Sequence, residues 1–283
     1  MAPADTKTSP ETPAETPAET ASFGFQTVPR GEKVKLVRGV FESVASRYDI
    51  MNDLMSGGLH RLWKDHMVSV LDPRPREDRA YHLVDVAGGT GDIAFRVRKR
   101  LADLKSADHA IPVISVIDIN EAMLRVGIER AEKRFPSADH VGNTDEVQMQ
   151  WQVGNGEALP VNTRTADAYT IAFGIRNITD MKAALREAYR ILRPGGRFLC
   201  LEFSPAVLPL IKRAYESYSG RVIPAIGSRV AGDADSYRYL VESIQRFPVP
   251  AQFESMVRDA GFKRVRATPM SAGIVRLTQG VRI

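Results

Sequence analysis

The chain has 283 residues, of which 43% are hydrophobic and 26% charged, a composition typical of a globular protein with a sizeable core. It contains no run of about 18 apolar residues, so we expect no membrane-spanning helix, and its single cysteine, Cys200, excludes an intrachain disulfide and a cysteine-built metal site. The net charge is +5, but residues 1–22 carry −3 and the remaining residues +8, which is compatible with a nucleic-acid, membrane or anionic-ligand partner or with a merely solvated surface.

The chain begins with a segment of low complexity. The repeat TSPETPAETPAET has no large apolar side chains to bury, so we predict a disordered tail over residues 1–22. It has neither the apolar core of a signal peptide nor the arginines of a mitochondrial transit peptide. A single folded domain is predicted over residues 23–283.

Residues 33–71 are predicted to form two helices separated by the loop MSGGLH. Apolar residues recur at helical spacing and mark one face of each helix: Val37, Phe41, Val44 and Tyr48 in the first, and Trp63, Met67, Val70 and Leu71 in the second.

From residue 81 onward, strands alternate with helices. Five strands are predicted, over YHLVDVA, PVISVID, VQMQWQV, ADAYTIAFG and RFLCLEF, with helices after the first, second and fourth. Helices over 208–226, 235–247 and 250–260 follow, and then a closing pair of strands, FKRVRATPM and GIVRLTQGVRI. This order predicts an α/β fold with a doubly wound, mostly parallel seven-stranded sheet, N-terminal helices and a helical insertion after strand five.

The loop AGGTGD follows the first predicted strand, at the edge of the sheet where parallel folds bind ligands. Glycines allow the backbone to approach a ligand closely, and Gly89, Gly91 and Ala94 satisfy the dinucleotide pattern G-x-G-x-x-[GA]. A tight turn without a ligand would use the same residues.

Acidic residues around this loop favour S-adenosylmethionine over NAD. Asp118 ends the second strand, where a carboxylate accepts hydrogen bonds from ribose hydroxyls. Asp85 precedes the loop, where it would repel a pyrophosphate but attract the ammonium group of S-adenosylmethionine, and Asp92 adds to that charge. Asp92 is equally compatible with a helix cap. Asn155, in GNGEALPV after the third strand, is placed to hydrogen-bond an adenine, although a plain turn would look the same.

Several motifs resemble the ubiquinone/menaquinone biosynthesis C-methyltransferase family. They are SRYDIMNDLMSGGLHRLWK, DVAGGTGD, DIN, GNGEALP, FGIRN, LRPGGRFLCLEFS, DADSYRYLVESIQRFP and SAGIVRLTQG, and the resemblance runs from about residue 36 to residue 283. FGIRN and DADSYRYL distinguish this family from other class I methyltransferases, which share the Rossmann-like fold.

The resemblance implies S-adenosylmethionine-dependent methylation of a ring carbon on a polyprenylated quinol: 2-methoxy-6-polyprenyl-1,4-benzoquinol, demethylmenaquinol or both. Together with the loop analysis, it gives a cofactor-binding set of Asp85, Gly89, Thr90, Gly91, Asp118, Asn155 and Gly156, and no metal site. Ala172 stands where the family often has serine, so a hydroxyl contact to the cofactor is not expected there.

The catalytic residues expected for this reaction are Arg176, Asn177 and Tyr48. Arg176 would stabilise the phenolate that makes the ring carbon electron-rich, and Asn177 would orient the ring. Tyr48, in the N-terminal helices, would contact the acceptor. Arg176 is also compatible with a surface salt bridge and Tyr48 with core packing, while His60 is a weaker candidate for a general base.

The helices over 208–226 and 235–247 have enough apolar side chains to cover an isoprenoid tail, although packing on the sheet explains most of them. We expect a cytoplasmic protein with peripheral contact to the inner face of the membrane, with contacts to quinone-biosynthesis enzymes and homodimerisation as further expectations. A nucleic-acid methyltransferase is disfavoured because FGIRN lacks the proline pair of the amino-methylating enzymes. An NAD-dependent oxidoreductase and a non-catalytic scaffold are the remaining alternatives.

Overall fold

The computed structural model describes residues 20–44, 52–53, 56–136, 147–205 and 234–283. The predicted tail up to residue 19, Tyr48 and the helix predicted over 208–226 lie outside these residues. Among the helices of the described segments, none combines the length and the apolar character needed to cross a bilayer.

The central sheet has seven strands in the order β5-β4-β3-β6-β7-β9-β8. Strands β3 to β7 are parallel, while β9 runs antiparallel to both β7 and β8. The mostly parallel seven-stranded sheet predicted from the sequence is therefore confirmed. The strand bounds are β3 His82–Val86, β4 Val113–Asp118, β5 Gln148–Val153, β6 Ala166–Ala172, β7 Leu192–Phe203, β8 Lys263–Met270 and β9 Val275–Val281.

Helices cover both faces of the sheet, as expected for strands that are buried on both sides. The described helices are α1 Arg30–Val44, α2 His60–Leu71, α3 Asp92–Leu104, α4 Glu121–Arg134, α5 Met181–Ile191, α6 Ala234–Arg246 and α7 Pro250–Asp259. Helices α2 and α3 contribute to one hydrophobic layer, and α5 and α7 contribute to the other. The helices predicted over these segments are confirmed, and Asn120 and Asp180 cap α4 and α5 through their side chains.

An N-terminal hairpin precedes the first helix, and the sequence analysis did not predict it. Strand β1 (Thr20–Phe23) begins three residues before the predicted start of the domain and pairs antiparallel with β2 (Gln26–Pro29). The hairpin packs on α6: the ring of Phe23 stacks on that of Tyr239 at 4.2 Å. Since a two-stranded hairpin is marginal by itself, this distant contact explains why the local sequence did not reveal it.

Candidate active site

A cavity opens at the carboxyl ends of β3, β4, β5 and β6, where the strand order reverses direction between β3 and β6. Loops after all four strands line it, and residues of helices α1 and α2 complete the lining. The structure brings most of the predicted site residues to this cavity: Asp85, Gly89, Thr90, Asp118, Asn155, Gly156 and Asn177. Ala172 also lines it and, as expected, offers no hydroxyl group.

Two glycines of the loop after β3, Gly88 and Gly91, have no room for a side chain. A Cβ on Gly88 would lie 2.6 Å from Cγ1 of Val116, and one on Gly91 would lie 2.6 Å from the ring of Trp151. Gly89 and Gly91 also have φ values of +52° and +82°, in the region that favours glycine. Gly91 thus shapes the loop and is not among the residues that line the cavity, whereas Gly89 does both.

Asp118 is held in place by backbone groups of two loops. The N–H of Gly89 donates to its Oδ2 at 2.9 Å, and the N–H of Asn120 donates to its Oδ1 at 2.8 Å. Burial raises the pKa of Asp118 to about 6, although these two N–H groups partly offset that effect. The carboxylate is therefore oriented before any ligand binds, with lone pairs left to accept further hydrogen bonds.

Asp85 is almost completely buried, at 1% exposure, and lies opposite Thr170 of β6 in the sheet register. The hydroxyl of Thr170 donates to its Oδ1 at 2.7 Å, whereas Oδ2 has no hydrogen-bond partner among the described residues. Burial raises the pKa of Asp85 to about 7, and the Thr170 hydrogen bond and the Lys64 ammonium lower it only in part. A buried carboxylate oxygen without a partner, beside a cavity, is suited to a cationic ligand group.

Two opposed turns meet at the point where the strand order reverses. Ala87 after β3 and Phe173 after β6 both have positive φ values, 49° and 58°, which cost energy for residues other than glycine. The next residue, Gly174, has no room for a side chain, because its Cβ would lie 2.5 Å from the Cβ of Ala87. The two strained turns are thus packed back to back, and all three residues line the cavity.

Asp92 is not a free charge at the cavity, contrary to the role predicted for it beside Asp85. Lys64 of α2 donates to its Oδ2 at 2.6 Å, and Arg96 pairs with its Oδ1. Burial opposes ionisation, but these two cations lower the pKa of Asp92 to about 2. Lys64 also lines the cavity. Lys64 was not predicted as a site residue although it ends the motif SRYDIMNDLMSGGLHRLWK, because a lysine on an amphipathic helix is usually part of the solvated face.

The loop after β5 is held by hydrogen bonds within the loop and by others to the turn after β6. The side chain of Asn155 accepts from the N–H of Glu157 at 3.0 Å, and a Cβ on Gly156 would contact Ile178 at 3.0 Å. The carboxylate of Glu157 then accepts from the N–H groups of Thr179 and Asp180, both at 3.0 Å. This loop and the turn after β6 therefore form one continuous wall of the cavity.

Asn177 ends a 3₁₀ turn after β6 and lines the cavity. The hydroxyl of Tyr239, on α6, donates to its Oδ1 at 3.0 Å. With Oδ1 occupied in this way, the amide Nδ2 of Asn177 is the atom left to donate to a ligand.

The structure does not bring Arg176 into the cavity, which corrects the expected placement of its guanidinium beside the acceptor. Its Nη1 donates to Oε1 of Glu202 at 2.6 Å and to the carbonyl of Phe173 at 2.7 Å, and its Nε donates to Ser243 at 3.2 Å. A buried guanidinium keeps such partners because without them its charge would stay buried and unpaired, which is costly. Arg176 is therefore placed to fix the turn that carries Asn177.

His60 does not line the cavity. His60 is buried and its Nε2 contacts Oδ1 of Asp53 at 2.8 Å, and it lies on a separate surface groove. Tyr48 lies outside the described residues, so its expected contact with the acceptor stays a prediction.

Comparison with known proteins identifies relatives over nearly the whole chain. Residues 27–282 match the model of the ubiE/COQ5 methyltransferase family. A protein of Bradyrhizobium diazoefficiens named ubiquinone/menaquinone biosynthesis C-methyltransferase UbiE is 55% identical over 93% of this chain and 98% of its own length. A protein of the same name from Rhodopseudomonas palustris strain BisB5 is 53% identical over the same shares.

Solved structures share the fold at low sequence identity. A possible histamine N-methyltransferase of Thermotoga maritima aligns with a TM-score of 0.55 at 17% identity, over 87% of this chain and 100% of its own. Phosphoethanolamine N-methyltransferase 2 of Haemonchus contortus, in complex with S-adenosyl-L-methionine, aligns with a TM-score of 0.52 at 13% identity, over 77% and 52% of the two chains.

Proposed function

Because the chain belongs to the ubiE/COQ5 methyltransferase family, we propose that it methylates a ring carbon of a polyprenylated quinol, with S-adenosylmethionine as the methyl donor. The substrates are 2-methoxy-6-polyprenyl-1,4-benzoquinol, demethylmenaquinol or both, and the reaction belongs to ubiquinone/menaquinone biosynthesis. The observation that carries this proposal is the buried, unpartnered Oδ2 of Asp85 beside a cavity that also presents the oriented carboxylate of Asp118.

The residues at the donor end of the cavity fit S-adenosylmethionine. Asp118 accepts hydrogen bonds from the two ribose hydroxyls, and Asp85 binds the ammonium group through Oδ2. Asn155 and Gly156 lie beside the adenine, while Gly89 and Thr90 bring the backbone close to the ligand.

The acceptor binds beside the turn after β6. Asn177 donates from Nδ2 to a quinol oxygen and so orients the ring, and Arg176 acts as a positioning residue through the turn that it anchors. Tyr48 is a further proposed contact. When bound, S-adenosylmethionine would supply an electrophilic methyl group to the ring carbon, with S-adenosylhomocysteine, the methylated ring and the displaced ring proton as products. The chain contributes orientation of the two substrates.

Identification of the methylated product tests the proposal. The purified protein is incubated with methyl-labelled S-adenosylmethionine and a bacterial membrane lipid extract, and the labelled species is identified by mass spectrometry. We expect label in a prenylated quinol, and much less label with the Asp118→Ala variant at a donor concentration that does not saturate it. Label in added tRNA or DNA instead of lipid would support the nucleic-acid alternative.

A simpler binding measurement separates the cofactor classes. S-adenosylhomocysteine is expected to raise the melting temperature of the protein, because a ligand that binds only the folded state stabilises it. NAD is expected to have no effect. The reverse result would favour an oxidoreductase.

Peripheral membrane contact is a separate part of the proposal. The sequence beyond residue 22 carries a net charge of +8, which suits an anionic leaflet, and the substrate itself is a lipid. The protein is expected to sediment with anionic vesicles at low salt and to be released at high salt. Remaining in the supernatant at low salt would contradict this part. Homodimerisation and contact with other quinone-biosynthesis enzymes stay predictions.

A further inference from the structure

A buried cation and a buried anion lie at the same end of the cavity. Lys64 of α2 is 3% exposed and Asp85 of β3 is 1% exposed, and both line the cavity. Removing such groups from water costs energy that only a charged partner offsets. For Asp85 that partner is the proposed ammonium group of the donor, whereas Lys64 has Asp92 as a partner within the protein and no ligand assigned to it so far.

The contacts of Lys64 leave donor capacity on its ammonium group. Its Nζ makes one hydrogen bond among the described residues, to Asp92 at 2.6 Å, and Asp92 also pairs with Arg96. Arg96 has a second acid, Asp65, at 2.7 Å. Nζ also lies 5.8 Å from the ring centroid of Phe173, on the cavity wall. An ammonium group has three protons to donate, so Lys64 can bind an anion while it keeps Asp92.

The other cation that lines the cavity among the described residues is placed differently. The side chain of Arg38 is 48% exposed, and its Nε pairs with Glu42 on the same helix at 2.8 Å. Its backbone carbonyl accepts from Asn120, beside Asp118, on the ribose side of the cavity. Arg38 therefore marks the nucleoside end and Lys64 the end where Asp85 lies.

Resting on the function proposed above, we propose that Lys64 binds the carboxylate of the donor's methionine portion. The carboxylate is the donor's single anionic group, and it is bonded to the same carbon atom as the ammonium group. When Asp85 holds the ammonium, the carboxylate lies at the end of the cavity where Lys64 supplies the positive charge. Lys64 and Asp85 together recognise a zwitterion.

This assignment makes Lys64 a specificity residue. Donor-site ligands without the carboxylate, such as the decarboxylated form of S-adenosylhomocysteine, leave Lys64 facing a desolvated cavity without a new partner. Ligands without either charged group, such as 5′-methylthioadenosine, still occupy the nucleoside end. The protein is therefore expected to prefer ligands that carry the whole amino-acid group.

Calorimetric titration of the full chain tests this without an activity assay. Lys64→Met is expected to weaken S-adenosylhomocysteine binding by about tenfold to a hundredfold, as for a lost hydrogen bond to a charged group, and 5′-methylthioadenosine binding by less than about threefold. The matched control is Lys33→Met, which removes another buried lysine from the neighbouring helix; Lys33 donates to the carbonyl of Ile178 and does not line the cavity.

The outcomes distinguish a ligand-binding role of Lys64 from a purely structural one. Equal weakening of both ligands would mean that Lys64 only supports the fold, and unchanged affinities would also overturn the proposal. If Lys64→Met does not fold, the parent protein gives the answer: it must bind the decarboxylated ligand about tenfold or more weakly than S-adenosylhomocysteine. A parent protein that binds neither nucleoside would instead contradict the proposed function.

Discussion

The two halves of the cavity are built by different means. In the half that we propose binds the donor, at the loops after β3 and β4, backbone groups orient Asp118: the N–H of Gly89 and that of Asn120 both donate to its carboxylate. In the acceptor half, formed by the 3₁₀ turn after β6, side chains from distant elements provide the order. The orientation of Asp118 is thus a local product of its loops, whereas Asp85, held by Thr170, and the turn that carries Asn177 depend on tertiary packing.

The largest effect is expected on the free energy of unfolding, when Glu202, the buried partner of Arg176, is removed. Glu202→Ala leaves the guanidinium of Arg176 buried without its 2.6 Å partner, so the free energy of unfolding should fall by about 3–5 kcal/mol. Denaturant titration measures this. The control is Glu254→Ala, which breaks an exposed pair with Arg258 and should cost below about 1 kcal/mol. Similar losses for both variants would mean that the buried pair does not hold the turn.

The next effect belongs to the donor half. Asp118→Ala should weaken binding of S-adenosylhomocysteine by about 30-fold to 100-fold, because charge-assisted hydrogen bonds to the ribose are lost. Calorimetry gives the affinity. Asp180→Ala is the control, since Asp180 also accepts from a backbone N–H but does not line the cavity. An affinity equal to that of the parent would place the nucleoside elsewhere.

A smaller effect should appear with pH. Asp85 has a pKa of about 7 and Asp118 of about 6, and Lys64, Asp92 and Asp118 all act on Asp85. Binding of the ammonium group requires ionised Asp85, so affinity for S-adenosylhomocysteine should fall about 25-fold between pH 7.5 and 5.5. Calorimetry at both pH values measures the change, and Asp85→Asn should flatten it. A profile that is equally steep in this variant would assign the titration to another group.

The same two acids should change the stability of the ligand-free protein in the opposite direction. Their folded pKa values are raised above the unfolded ones, so the folded state holds more protons between about pH 4 and pH 7. Their contribution to the free energy of unfolding therefore rises as the pH falls through this range. Denaturant titrations at several pH values should show a smaller rise in the free energy of unfolding for Asp85→Asn than for the parent as the pH falls.

The smallest effect tests how the acceptor half is held. Tyr239→Phe keeps the ring stacked on Phe23 but removes the hydrogen bond to Asn177. Turnover in methyl transfer should fall about fivefold, in line with one lost hydrogen bond, with no change in affinity for S-adenosylhomocysteine. Tyr189→Phe, on α5, should change neither quantity. A loss of affinity in Tyr239→Phe would mean that the two halves are coupled.

This contrast explains what could be predicted from the sequence. The glycine loop and Asp118 were recognisable because neighbours in the chain impose their roles, as were the strands, whose apolar runs report burial directly. Arg176 was expected at the right strand end, but its direction depends on Glu202, which lies on β7 and 26 residues further along the chain. Lys64 ends the motif SRYDIMNDLMSGGLHRLWK, but the motif gave it no role, because only the fold brings it to Asp85.

The N-terminal hairpin has a practical consequence for anyone who shortens the protein. The match to the family model begins at residue 27, and trimming the gene to that point would keep every residue that lines the cavity. It would also delete β1 and, with it, the ring of Phe23 that stacks on Tyr239. A shortened gene should therefore begin at or before Thr20, so that Tyr239, which donates to Asn177 on the cavity wall, keeps its stacking partner.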